Sequence, residues 1–160
     1  MKTLIIVDMQ DKFSGAKNEW LIEKIVSLVE TAIHNGWPIV VLEYKGCGQT
    51  LDEIMKCLGS YSDYDVVEKQ GVCGADQVLD HLSKNRSSWP LDFAVCGIYG
   101  DACVAATVNS LLSDEEVDGV DVVTDAIVPG YPVNERLNKQ PMLTSVSDYD
   151  LVHRESSVLC

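Results

Sequence analysis

The sequence predicts an α/β fold with a mostly parallel sheet and helices on both of its faces. Two observations carry this. Short, strongly apolar runs recur along the chain, such as Leu4-Ile5-Ile6-Val7, Ile39-Val40-Val41-Leu42 and Phe93-Ala94-Val95-Cys96. Between them lie stretches whose apolar residues repeat at helical spacing. That alternation describes βαβ units, and right-handed crossovers leave few topologies for them.

Lys2 to Val7 reads as the first buried strand, an apolar run that ends in Asp8. Trp20 to Asn35 reads as a helix with Leu21, Ile22, Ile25, Leu28, Val29 and Ile33 on one face. Asn35-Gly36 ends it, and Pro38 blocks continuation. Pro38 to Tyr44 holds the second strand, and Gly46 to Thr50 is a loop. Thr50-Leu51-Asp52-Glu53 has the form of a capping box and predicts a short helix to Leu58, stopped by Gly59. Tyr64 to Glu68 is a third strand, and Ala75 to Asn85, with Val78, Leu79 and Leu82, a third helix.

Leu91 to Gly97 is the fourth strand. Asp101 stands as the N-cap of a helix from Ala102 to Leu112, whose small residues Ala102, Ala105 and Ala106 let it lie close to the sheet. Val120 to Thr124 is a fifth strand. A short helix near Val133 to Lys139 and a strand near Leu143 to Ser147 follow, and the polar tail from Asp150 to Cys160 is unassigned. No repeat or linker divides the chain, and its 160 residues suit one domain over 1–160.

Composition narrows the function classes. Hydrophobic residues make up 46% and charged residues 23%, which is globular rather than disordered. The opening apolar run is too short for a membrane span or a signal-peptide core. A net charge of −13 repels polyanions, so neither nucleic acid nor an anionic membrane is expected as a partner. Cys47, Cys57, Cys73, Cys96, Cys103 and Cys160 form no CxxC pair and no zinc-ribbon or knottin spacing. Free thiols in a reducing cytoplasm are the expectation. Gly46-Cys47-Gly48 lacks the Lys-Ser/Thr ending of a phosphate loop, and Asp114-Glu115-Glu116 reads as a solvated turn.

Ligands of parallel sheets bind beyond the carboxyl ends of the strands. That rule singles out Asp8 after the first strand, Lys69 after the third, and the loop Ile98 to Cys103 after the fourth. On position alone Asp8 also reads as a structural carboxylate, Lys69 as a solvated lysine, and Cys103 as a residue packing a helix on the sheet. A thiol in the first turn of a helix is expected to have its pKa lowered toward neutrality, with backbone N–H groups nearby to receive an oxyanion. Together an acid, an amine and a thiol make a catalytic set: the thiolate attacks, the ammonium stabilises it, and the carboxylate moves the proton.

At these residues the chain resembles a known group. Leu4-Ile5-Ile6-Val7-Asp8-Met9-Gln10-Asp11-Lys12-Phe13, then Val67-Glu68-Lys69, then Cys96-Gly97-Ile98-Tyr99-Gly100-Asp101-Ala102-Cys103-Val104-Ala105-Ala106-Thr107 resemble the three signature segments of the isochorismatase-like cysteine hydrolases. Val122-Val123-Thr124-Asp125-Ala126 resembles the strand that follows in that family. The resemblance implies a six-stranded, mostly parallel sheet in a three-layer, Rossmann-like α/β/α sandwich. It implies an Asp8, Lys69, Cys103 triad that cleaves a C–N bond of a small amide or carbamoyl substrate through a thioester-type intermediate on Cys103. It also implies a homo-oligomer, a dimer or tetramer, and a cis peptide between Ile98 and Tyr99 that aims the N–H groups of Ala102 and Cys103 into an oxyanion hole.

The departures bear on substrate. The segment between the second strand and Lys69 is compressed, and it holds none of the chain's histidines (His34, His81 and His153), so neither a nicotinamidase-type metal nor another cofactor is expected. Gln70-Gly71-Val72-Cys73-Gly74 replaces a Ser-Ala-Phe-like stretch, and Gly100 stands where Thr is common. A retained Cys103 points to amide chemistry. Phe13, Trp20 and Tyr99 are candidate pocket walls, with core packing as the other reading for Phe13 and Trp20 and sheet packing for Tyr99. Two other function classes stay open: a catalytically silent binding or scaffold protein, and a thiol-redox protein in which Cys47 or Cys73 pairs with Cys103.

Overall fold

The computed structural model describes residues 1–128. Strands β1 (Thr3–Val7), β2 (Ile39–Tyr44), β3 (Tyr64–Lys69), β4 (Asp92–Gly97) and β5 (Gly119–Ile127) form one sheet in the order β3-β2-β1-β4-β5. Every pairing is parallel. Helices α1 (Glu19–His34), α2 (Asp52–Leu58), α3 (Ala75–Asn85) and α4 (Ala105–Leu112) connect them. The predicted mostly parallel α/β architecture is therefore the one observed, with five strands among the described residues. The strand expected near 143–147 and the helix near 133–139 lie outside them.

The alternation of side chains along β1 explains the layers. Leu4 and Ile6 face α1 and α2, packing with Leu21, Ile25, Leu28 and Ile54. Ile5 and Val7 face α3 and α4, packing with Val78, Leu82, Val104 and Val108. A strand buried on both faces needs an unbroken apolar run, which is why β1 shows no polar alternation. The edge strand β3 is tied down instead by Asp65. It accepts from Arg86 Nε at 2.8 Å and lies 2.9 Å from His81 Nε2 on α3. The Arg86 guanidinium holds the Asp65 carboxyl below its usual range, against the opposing effect of partial burial.

Two helix starts differ from the sequence reading. Thr50 does not cap α2: its N–H and hydroxyl both bond Glu43 Oε1, at 2.8 and 2.6 Å, and Leu51 takes the N-cap position. Asp101 does not cap the fourth helix either. Gly100–Val104 forms a single π-helical turn, and α4 begins only at Ala105. The Tyr99 carbonyl accepts from the N–H of both Ala102 (3.0 Å) and Val104 (3.1 Å), which widens the turn by one residue.

At the carboxyl end of β4, Gly97 has φ +115° and is paired with Val7. A Cβ there would strike the Val7 backbone. Gly36, which ends α1 at φ +66°, has open space around it. Gly36→Ala should therefore cost about 1 kcal/mol, the conformational penalty alone, whereas Gly97→Ala should cost at least about 3 kcal/mol. Urea unfolding of the two variants beside the unmodified chain checks this, and equal losses would contradict it.

Candidate active site

The chain builds β1, β2 and β3 outward in one direction and β4 and β5 in the other. The order reverses beside β1, which opens a crevice at its carboxyl end. Asp8 follows β1 directly, at φ +53°, a left-handed conformation that Asp tolerates better than most side chains. Its N–H donates to Leu42 O at 2.9 Å, continuing the ladder with β2. The side chain is buried, with a relative exposure of 1%.

Lys69 ends β3 and is fully buried. Its Nζ lies 2.9 Å from Asp8 Oδ2 and donates to Gly71 O (3.0 Å) and Val72 O (3.3 Å). The ring of Tyr44 covers it, with its centroid 4.3 Å from Nζ. Cys103 sits in the π-helical turn after β4, 9% exposed, with its thiol beside the Asp8 carboxylate and the Lys69 ammonium. The three residues that three separate strand ends were expected to supply are thus brought into mutual contact.

Burial sets the electrostatics. It raises the Asp8 pKa above the ordinary carboxylate value, outweighing the neighbouring Cys103 thiol and Lys69 ammonium that lower it. Burial also pushes the Cys103 thiol up to about 12, helped by the Asp8 carboxylate beside it, with Lys69 opposing. This corrects the expectation of a lowered thiol pKa. The cysteine lies ahead of α4 rather than in its first turn, and the nearest charge facing the sulfur that raises its pKa is a carboxylate. The resting state that results is a protonated thiol poised on a desolvated base. A proton can pass between them with no change in the net charge of the trio.

The backbone around Cys103 differs in part from the expectation. The Ile98–Tyr99 peptide is cis. The Ala102 N–H, expected to serve the oxyanion hole, is committed to the Tyr99 carbonyl. Phe13 and Tyr99 meet edge to face at 6.1 Å, and the Tyr99 hydroxyl accepts from Gly15 N at 3.1 Å. Both rings pack on the α1 and α2 side and brace the β1–α1 connection. Trp20 is 44% exposed and walls neither the core nor the trio. The five described cysteines are all free thiols, and among the described residues no three His, Cys, Asp or Glu side chains cluster as a metal would require.

Three residues of the site had no role in the sequence reading. Gln10 is fully buried; it donates to Tyr44 O (3.0 Å) and Gly48 O (2.9 Å) and accepts from Tyr44 N (2.7 Å). Tyr44 shelters Lys69. Thr107, one turn beyond Cys103, accepts from Gly74 N at 3.0 Å and ties the segment after Lys69 to α4. The signal for Gln10 is an uncharged polar residue three positions past the apolar run that ends at Val7. For Tyr44 it is the register, which pairs it with Lys69.

The isochorismatase domain model matches residues 2–133. No curated protein matches the chain. Among solved structures, it is similar to N-carbamoylsarcosine amidase from Thermoplasma acidophilum, at 19% identity over 98% of this chain and 97% of that one, with a TM-score of 0.74. It is also similar to the nicotinamidase SaPncA from Staphylococcus aureus, at 14% identity over 96% and 98%, with a TM-score of 0.75. A third is YcaC from Escherichia coli, described as an octameric hydrolase of unknown specificity, at 17% identity over 99% and 77%, with a TM-score of 0.74. At these identities the structural likeness establishes a shared fold.

The buried pair makes a stability prediction. Lys69→Met leaves the Asp8 carboxylate alone in a dry site and should cost about 3–5 kcal/mol at neutral pH. With Lys69 gone, burial lifts the Asp8 pKa further, so the variant takes up a proton on folding. It should then regain stability as pH falls from neutrality through the raised pKa. Adding Asp8→Asn to Lys69→Met should restore at least about 1 kcal/mol. Denaturant unfolding across pH checks both, and a pH-independent loss would contradict the pairing.

Proposed function

The chain belongs to the isochorismatase family, and on that premise we propose that it is a cysteine-dependent hydrolase of a small amide or carbamoyl compound. One observation carries the reading: at the carboxyl end of the sheet, a buried ammonium lies 2.9 Å from a buried carboxylate, with the thiol of Cys103 beside them. The similarity to N-carbamoylsarcosine amidase and to a nicotinamidase supports a C–N bond as the one cleaved.

In the proposed cycle Asp8 takes the thiol proton as Cys103 Sγ attacks the carbonyl carbon. The raised basicity of the buried carboxylate favours that transfer. Lys69 balances the negative charge as it moves from carboxylate to sulfur. The Cys103 N–H is the proposed donor to the oxyanion, its flanking N–H groups being bonded to Tyr99 O. Protonated Asp8 then hands its proton to the leaving nitrogen, the C–N bond breaks, and a thioester remains on Cys103. Asp8 next takes a proton from water as that water attacks the thioester, and returns it to the departing sulfur. The product acid leaves and the thiol is restored, so each turnover consumes one amide and one water.

The octameric state of YcaC supports reading this chain as a homo-oligomer. A cytoplasmic location and a single domain over 1–160 complete the proposal. Among the described residues no helix is long and apolar enough to cross a membrane.

Ammonia release from a panel of primary amides, ureas and N-carbamoyl compounds tests the reading, followed by mass spectrometry of the quenched enzyme. At least one compound should be turned over and should add its acyl mass to Cys103. Cys103→Ala should lower turnover at least about a thousandfold while leaving the unfolding midpoint nearly unchanged. A Cys103→Ala variant as active as the unmodified chain would overturn the mechanism.

A further inference from the structure

We propose that Tyr44 is a positioning residue that seals Lys69, committing its charge to Asp8 and Cys103 and denying it to substrate. The site is thereby suited to amides that carry no carboxylate beside the scissile carbon. This inference rests on the hydrolase reading given above.

The ammonium has three N–H donors, and three oxygens lie within reach of them: Asp8 Oδ2 at 2.9 Å, Gly71 O at 3.0 Å and Val72 O at 3.3 Å. Two of the donors are bonded to the carbonyls, and the charge is paired with Asp8. The Tyr44 ring lies over the same nitrogen, with its centroid at 4.3 Å, well inside the range of a cation–π contact. The result is a lysine with no solvent exposure. An anion approaching Cys103 would meet the Asp8 carboxylate without a free cation at Nζ to offset it.

The ring is held where it is needed. Tyr44 and Lys69 are register partners on the parallel strands β2 and β3, so their side chains leave the same face side by side. Gln10, itself fully buried, grips both backbone groups of Tyr44 and the Gly48 carbonyl of the following loop. Lys45 N donates to Lys69 O at 2.9 Å and closes the strand ends together. Two of the three Gln10 side-chain bonds fix Tyr44, the residue that covers Lys69.

Alkylation of Cys103 tests this without a known substrate. The rates of iodoacetate, an anion, and iodoacetamide, its neutral analogue, are measured at one pH by mass spectrometry of the Cys103 peptide. Their ratio is referred to free cysteine. In the unmodified chain the iodoacetate-to-iodoacetamide ratio should be no higher than that of free cysteine, a comparison that needs no variant. Tyr44→Phe keeps the ring and should keep the ratio. Tyr44→Leu, or Tyr44→Met if the leucine variant folds poorly, exposes the ammonium and should raise the ratio at least about threefold. A role in packing alone would slow both reagents together and leave the ratio unmoved. An unmodified chain that prefers iodoacetate, a Tyr44→Leu ratio equal to that of the unmodified chain, or a Tyr44→Phe chain that behaves like Tyr44→Leu overturns the sealing and leaves the hydrolase reading standing. Failure of both reagents to reach Cys103 in any of the proteins would overturn that reading, and the sealing with it.

Discussion

A lysine ammonium without contact with water, 2.9 Å from a carboxylate that is itself buried, is the constraint around which this molecule is arranged. Removing two charges from solvent is costly, and attraction between them repays it only when the remaining donors and acceptors are satisfied. The surrounding chain meets that demand on the lysine side. The carbonyls of Gly71 and Val72 turn toward Nζ and the Tyr44 ring lies over it, while the Asp8 oxygens rely on the charge of Lys69 with the Cys103 thiol beside them. They come from the β3–α3 connection, the end of β2 and the turn after β4. The strand order brings these together, because the order in which strands are added reverses beside β1.

The same pair accounts for the state of the nucleophile. A cysteine near a helix start, with a lysine at hand, has two reasons for a low pKa. Here burial and the facing carboxylate prevail, and the thiol stands near 12. In the proposed mechanism no free thiolate is stored. The thiol and its proposed base sit in one dry cluster, and the nucleophile forms as attack proceeds. The cluster's net charge is then constant through the proton transfer, which suits a site that solvates charge poorly.

Much of this was legible in the chain. The apolar runs of β1, β2 and β4 mark central strands, and the α3 reading, Ala75 to Asn85, agrees with the helix at both ends. Asp8 and Lys69 stand out because a charge directly after a strand needs a reason. What was not legible depends on partners distant in sequence. Thr50 has the form of a cap, but Glu43 competes for its hydroxyl and wins. Asp101 has the form of a cap too, yet the Tyr99 carbonyl takes two N–H groups and widens the turn before α4. Gln10 and Tyr44 carry no local signal of their task, since both act on strand ends that meet only in the fold. Tyr99 is spent on Gly15 and Phe13, a contact across 84 residues that no local pattern announces.

The central claim is that Asp8 and Cys103 share one proton, with the carboxylate holding it on sulfur in the resting state. Titrating the ultraviolet absorbance of the thiolate in Asp8→Asn and in the unmodified chain, each against its Cys103→Ala counterpart, tests it most directly. Removing the carboxylate charge should bring the Cys103 ionisation down by at least about one pH unit, a tenfold change in acidity, so that a thiolate step appears near pH 11 or below in the variant and not in the unmodified chain. A Cys103 ionisation that stays in place or moves upward in Asp8→Asn would contradict the shared proton and the mechanism built on it.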